Sequence, residues 1–130
     1  MDDTAILCVD DEAIILMSLI QELKKNLGNR YIYEGALNAE KAFDILQDLK
    51  DDGIPVVLII SDWLMPGMKG DVFLIKVRKM YPSVKTIMIT GMADDEAKRK
   101  VQSEAGVCAI LDKPWNKNAL MEAVNKACDG

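Results

Sequence analysis

The sequence predicts an α/β protein, a doubly wound parallel sheet of five strands with helices on both faces. Short β-rich runs alternate with helical apolar patterns from one end of the chain to the other, which is the pattern of βα units and not of separate layers. Three of the runs are continuously apolar, as strands covered on both faces should be. Glycine, proline and a capping asparagine fall between the periodic segments, where turns are needed.

The first strand reads as Ile6–Val9, and the helix after it carries its apolar stripe on Leu16, Leu19, Ile20, Leu23 and Leu27. Gly28 follows as a left-handed cap. The second strand is Tyr31–Ala36, and Asn38 is placed to N-cap the second helix. Val56–Ser61 is the third strand. Phe73, Val77 and Met80 mark the core face of the third helix, which Pro82 stops just after Tyr81. Thr86–Ile89 is the fourth strand and Cys108–Leu111 the fifth; the first, third and fourth, being the most apolar, should be central. The fourth helix is the weak one. Ala97, Val101 and Ala105 give it a thin apolar stripe with Lys98, Arg99 and Lys100 crowded beside it, so it should be loosely held up to Gly106, a second left-handed cap.

At 130 residues the chain is expected to form one domain over 1–130, large enough to bury a core without a metal or disulfide. No apolar run reaches the length of a membrane span, and the start lacks the basic region of a signal peptide, so a soluble, cytoplasmic protein with no membrane contact is expected. The formal charge of −5 argues against direct nucleic-acid binding, which needs a basic face. The absence of histidine removes Ser-His and Cys-His nucleophiles and histidine metal sites, leaving carboxylates, lysine and hydroxyls. Cys8 and Cys108 sit in apolar runs and read as small hydrophobes; Cys128 completes an odd number with no CxxC spacing.

In an open parallel sheet ligands bind beyond the carboxyl ends of the strands, and four of the five strands end there in a residue able to do chemistry. "ILCVDDE" supplies Asp10 and Asp11, "LIISD" supplies Asp62, "TIMITG" supplies Thr90 and "AILDKPW" supplies Lys113. Carboxylates gathered in one crevice repel, and a cation relieves them. An all-oxygen set without His or Cys suits a hard ion, Mg²⁺ better than Ca²⁺, and would leave Asp62 ionised. With Lys113 as a positive charge and the Thr90 hydroxyl as a donor, the set reads as a phosphate site built on a carboxylate.

These residues, in this order and with this βα spacing, resemble the receiver domain of two-component response regulators over essentially the whole chain. The resemblance implies a flavodoxin-like (βα)5 fold with strand order 2-1-3-4-5. It implies that Asp62 accepts a phosphoryl group from a sensor histidine kinase or histidine phosphotransfer protein, or slowly from a small phosphodonor. Asp11 is then a direct Mg²⁺ ligand, Asp10 one acting mostly through water, and the Leu64 backbone carbonyl completes the protein's share. Lys113 pairs with the phosphoryl group, Thr90 shifts toward it, and a cis bond is implied before Pro114. The fourth helix, fifth strand and fifth helix form the surface read by an output domain or partner protein. On this reading the chain is a switch and not a turnover enzyme.

Within "DWLMPGMKG", Pro66 and Gly67 turn the loop back from Asp62, and Gly70 lets the third helix start close beneath it, while Trp63 and Met65 read as packing. Leu64 and Met92, two positions after the acid and the threonine, cannot hold a hydrolytic water by a hydrogen bond. The family's aromatic residue three positions before the lysine is here Ile110, a departure that bears on how the signal reaches the fourth and fifth helices. Two alternatives remain open: a pseudo-receiver that binds partners without phosphorylation, and an Asp-nucleophile phosphatase of the haloacid-dehalogenase kind. The second needs an acid two residues after its nucleophile, where "VDDEA" supplies adjacent acids, and 130 residues leave no room for a cap domain.

Overall fold

Side-chain alternation divides the sheet residues between two cores. The computed structural model describes residues 3–91 and 94–129. Its elements are β1 (Ala5–Val9), α1 (Ala13–Leu27), a 3₁₀ turn (Gly28–Arg30), β2 (Ile32–Ala36), α2 (Ala39–Asp51), β3 (Val56–Asp62), α3 (Gly70–Met80), β4 (Lys85–Thr90), α4 (Asp95–Lys100) continuing as a π turn (Val101–Ala105), β5 (Ala109–Asp112) and α5 (Lys117–Asp129). The strands are all parallel in the order β2-β1-β3-β4-β5, with β1, β3 and β4 central as their apolar runs require. Order reverses between β1 and β3, and there a crevice opens at the carboxyl ends of the strands.

Ile6, Cys8, Leu58, Ile60, Ile87 and Ile89 face Leu16, Leu19, Leu23 and Leu27 of α1 and Leu120, Val124 and Ala127 of α5. Leu7, Val9, Ile59 and Met88 face Ala42 and Leu46 of α2, Phe73, Leu74 and Val77 of α3, and Val101 and Ala105 of the π turn. Each side chain of Leu or Ile size buried in this way contributes about 1.5–3 kcal/mol. Asn38 caps α2 as the sequence indicates, its Oδ1 accepting the Lys41 N–H at 2.8 Å, and α3 ends at Met80 with Tyr81 and Pro82 beyond.

Three expectations are corrected. Gly106 is left-handed (φ 63, ψ 41), but Gly28, with φ 63 and ψ −141, lies outside the left-handed helical region because the chain leaves α1 through the 3₁₀ turn. Cys108 is exposed and not a core hydrophobe; it precedes β5, which is an edge strand. The fourth helix is α-helical only over Asp95–Lys100, none of it buried. It then widens into the π turn, whose Val101 and Ala105 are buried, so this segment is held by its second half.

Candidate functional site

β1 delivers Asp10 and Asp11 to the crevice, β3 ends on Asp62, β4 ends on Thr90, and Lys113 follows β5. The backbone ladder fixes their relative positions. Asp62 lies opposite Ile89, Thr90 opposite Asp112, the Asp10 N–H donates to the Ala36 carbonyl (3.1 Å), and the Lys113 N–H donates to the Thr90 carbonyl (3.0 Å). One carboxylate oxygen from each of Asp10, Asp11 and Asp62 lies within 4.8 Å of the others. Asp10 and Asp62 are buried and Asp11 is exposed.

The Lys113 ammonium donates to Asp10 Oδ2 at 3.0 Å and reaches Asp62 Oδ2 at 3.5 Å. Asp10 Oδ1 accepts the Glu12 N–H at 2.8 Å, so both Asp10 oxygens already have partners inside the protein. Burial, with the neighbouring charge of Asp10, raises the pKa of Asp62 even against the opposing pull of Lys113. Burial disfavours the Lys113 charge, but the hydrogen bond to Asp10 and the charges of Asp62 and Asp10 outweigh it and raise the ammonium pKa. Metal-free, then, the cluster carries more negative charge than one lysine balances. An all-oxygen set of this spacing fits a hard divalent cation of the Mg²⁺ type.

A cleft of about 360 Å³ opens over the cluster, lined by Asp11, Asp62 and Lys113 together with Leu64, Met65 and Pro66. Leu64 is half exposed there, whereas Met92 lies outside the described residues. Met65 is buried in the core, and Trp63 packs against the same core with the Lys69 ammonium 5.2 Å from its ring. The Gly70 N–H donates to the Trp63 carbonyl at 2.7 Å. A Cβ at Gly70 would collide with the Asp62 carbonyl oxygen and come to 2.8 Å from Trp63 Cα, so only glycine lets α3 begin against the end of β3. The Lys113–Pro114 peptide bond is cis.

Asp10, Asp11, Asp62 and Lys113 therefore meet at one crevice, and Thr90 ends the neighbouring strand with its carbonyl accepting the Lys113 N–H. Sequence reasoning missed the Glu12 N–H as the group that holds Asp10, and a backbone donor leaves no mark on residue identity. It also missed Asp71, a buried acid in the first turn of α3; an acid directly after the required Gly70 was the available signal. Ile110, half-buried, packs against the core that holds Val101 and Ala105 and lines an open cleft with Asp95, Lys98 and Gln102.

Fold and site together define a parallel α/β protein with an acidic, lysine-bearing cleft at the topological switch point. The chain belongs to the response regulator receiver domain family, whose model matches residues 6–125; its function at that level is phosphorylation-dependent signalling by a switch. It is 29% identical over 121 residues to the sensor kinase CckA of Brucella abortus, a match covering 93% of this chain and 12% of the kinase. It is 31% identical to the hydrogenase transcriptional regulatory protein HoxA of Bradyrhizobium diazoefficiens over 94% of this chain and 23% of that protein. The chain thus spans under a quarter of the length of these two relatives. Among solved structures, the signal receiver domain of an HD domain-containing protein from Pseudomonas fluorescens superposes with a TM-score of 0.86 at 30% identity, covering 98% of this chain and 95% of that one. A CheY-like receiver domain from Methanospirillum hungatei gives 0.82 at 32% identity, covering 98% and 95%. Among the described residues no helix is long and apolar enough to cross a membrane.

Proposed function

We propose that Asp62 is the phosphoryl acceptor of a two-component pathway. The observation that carries this is the convergence of Asp10, Asp11 and Asp62 within 4.8 Å with the Lys113 ammonium beside them. An ionised Asp62 oxygen attacks phosphorus in line; the P–N bond of a donor phosphohistidine, or the P–O bond of acetyl phosphate, breaks, and its electron pair leaves with the donor. A bound Mg²⁺ would supply positive charge to the acceptor and the phosphoryl oxygens. Asp11, the exposed carboxylate of the three, and the Leu64 carbonyl would hold it directly. Asp10, whose oxygens are engaged by Lys113 and the Glu12 N–H, would act on it through water. Lys113 pairs with the acyl phosphate, whose charge is about −2, and the Thr90 hydroxyl donates to it.

The donor is a sensor histidine kinase or a histidine phosphotransfer protein. The output is read on α4, β5 and α5 by an attached domain or a partner protein, with no direct nucleic-acid contact by residues 1–130. Incubation with Mg²⁺ and acetyl phosphate tests the acceptor: one added phosphoryl group by mass, absent in Asp62→Asn, is the expected result. A mass shift that persists in that variant places the acceptor elsewhere, and no shift with any donor or kinase favours a pseudo-receiver.

A further inference from the structure

Asp71 is 7% exposed, a carboxylate taken out of water in the first turn of α3. Burial of an acid needs compensation. The helix N-terminus supplies part of it, with Oδ1 accepting the Val72 N–H at 2.9 Å. The cation comes from another element, for Lys100 places its ammonium 3.9 Å from Asp71 Oδ2. Lys100 is the last α-helical residue of α4, and at Val101 the winding changes to the π turn. Two helical turns along α3, on the same face, Arg78 Nη1 donates to the Ser103 carbonyl at 3.4 Å, and its guanidinium lies under Gly106. The π turn is therefore clasped at both ends by α3, whose own start is fixed to the end of β3 by the Gly70 contact with Asp62 and Trp63.

We propose that Asp71 is a positioning residue that acts through Lys100, biasing the π turn and carrying the state of Asp62 from the start of α3 into α4. A π turn holds one residue more than an α-turn needs, so the segment has two windings of similar length, and such turns recur at functional sites. It is the kind of two-state element that coupling between sites requires. Because Ile110 stands where an aromatic side chain would otherwise span β5 and α4, a route through α3 gives the fourth helix its connection to the site. The coupling rests on the phosphoacceptor reading; the clasp itself does not.

The test has two arms, with Lys100→Gln, Lys100→Arg, Asp71→Asn and the Asp71→Asn/Lys100→Gln pair. Hydrogen exchange in the unmodified protein reads the clasp. Amides of Val101–Ala105 should exchange roughly fivefold faster in Lys100→Gln and in Asp71→Asn, no faster in the pair than in either alone, and at the wild-type rate in Lys100→Arg. Since Lys100 is 46% exposed, Lys100→Gln leaves the core intact. Beryllofluoride with Mg²⁺, a phosphoryl mimic, reads the coupling. Amide shifts at Asp10, Asp11 and Gly91 should be equal in all variants, while those over Asp95–Gly106 fall by at least half in Lys100→Gln and recover in Lys100→Arg. Unchanged exchange in Lys100→Gln overturns the clasp. Changed exchange with undiminished shifts over Asp95–Gly106 overturns the coupling. Absence of shifts at Asp10, Asp11 and Gly91 in every protein overturns the phosphoacceptor reading and the coupling with it, and leaves the exchange result to decide the clasp.

Discussion

The Lys113 ammonium sits 3.0 Å from Asp10, closer than its 3.5 Å reach to Asp62. In the metal-free protein the lysine therefore serves the acidic pair before it serves the acceptor, and it occupies space and charge that a divalent cation needs. Lys113→Ala should tighten Mg²⁺ binding by about fivefold, an interaction of roughly 1 kcal/mol between like charges near the surface, while reducing phosphorylation. Trp63 fluorescence during Mg²⁺ titration checks this, and weaker binding in the variant would contradict it.

Asp62 is costly to the metal-free fold. Its folded pKa is raised, chiefly by burial and then by Asp10, so the ionised form is less stable in the folded than in the unfolded chain. The sign follows: destabilisation is fully present above the raised value and is lost as pH falls below the unfolded value. Asp62→Asn should melt higher than wild type at neutral pH without Mg²⁺, with the gap closing toward pH 4 and narrowing when Mg²⁺ is added. Thermal melts across that range suffice, and a gap that widens in acid would refute the argument.

Gly70→Ala should cost about 2 kcal/mol or more, because the added methyl meets the Asp62 carbonyl and Trp63 Cα, which belong to backbone and cannot rotate away. The same change should slow phosphorylation of the protein that remains folded, since relief of the collision moves the end of β3. A variant with unaltered melting would show that α3 has more freedom at its start than this contact permits.

The thiols should react in a fixed order. Cys8 is fully buried and its pKa is raised by that burial, so its thiolate is scarce at any working pH. Cys128 is half-buried and is raised too, first by desolvation, whereas Cys108 is exposed. Ellman's reagent at pH 8 should modify Cys108 fast, Cys128 slowly, and Cys8 only after denaturation. Rapid loss of Cys8 in the folded protein would mean that β1 opens locally.

Leu64 borders the cleft beside Asp62 and offers no hydrogen bond to a hydrolytic water. Phospho-Asp62 should be long-lived, and Leu64→Asn should shorten its half-life several-fold by positioning a water for in-line attack. Decay after removal of the donor measures both, and equal half-lives would assign the lifetime to other groups.

The strand cores and the residues at their ends were legible because burial on both faces forces continuous apolar runs, and Asp10, Asp62 and Thr90 break those runs abruptly. Helix ends marked by Asn38 and Pro82 were legible for the same local reason. What escaped depends on partners distant in the chain. Cys108 looks apolar by its neighbours but lies just before an edge strand. The π turn over Val101–Ala105 leaves no mark in the residue pattern, because Val101 and Ala105 stand at the i, i+4 spacing that an ordinary α-helix also buries on one face. Asp71 is buried in the first turn of α3, and its cation partner, Lys100, lies far along the sequence.

The partition of the sheet into two cores has a consequence for how this sequence can change. Met65 and the π turn belong to the face that carries α2 and α3, while α1 and α5 share the other face with Cys8, Leu58 and Ile60. Volume lost on one face cannot be refilled from the other, because five strands of backbone stand between them. Side chains on the α1 and α5 face can thus drift in size together, as a private group, without retuning those that surround the switching segment. The chain holds two packing problems that share a wall.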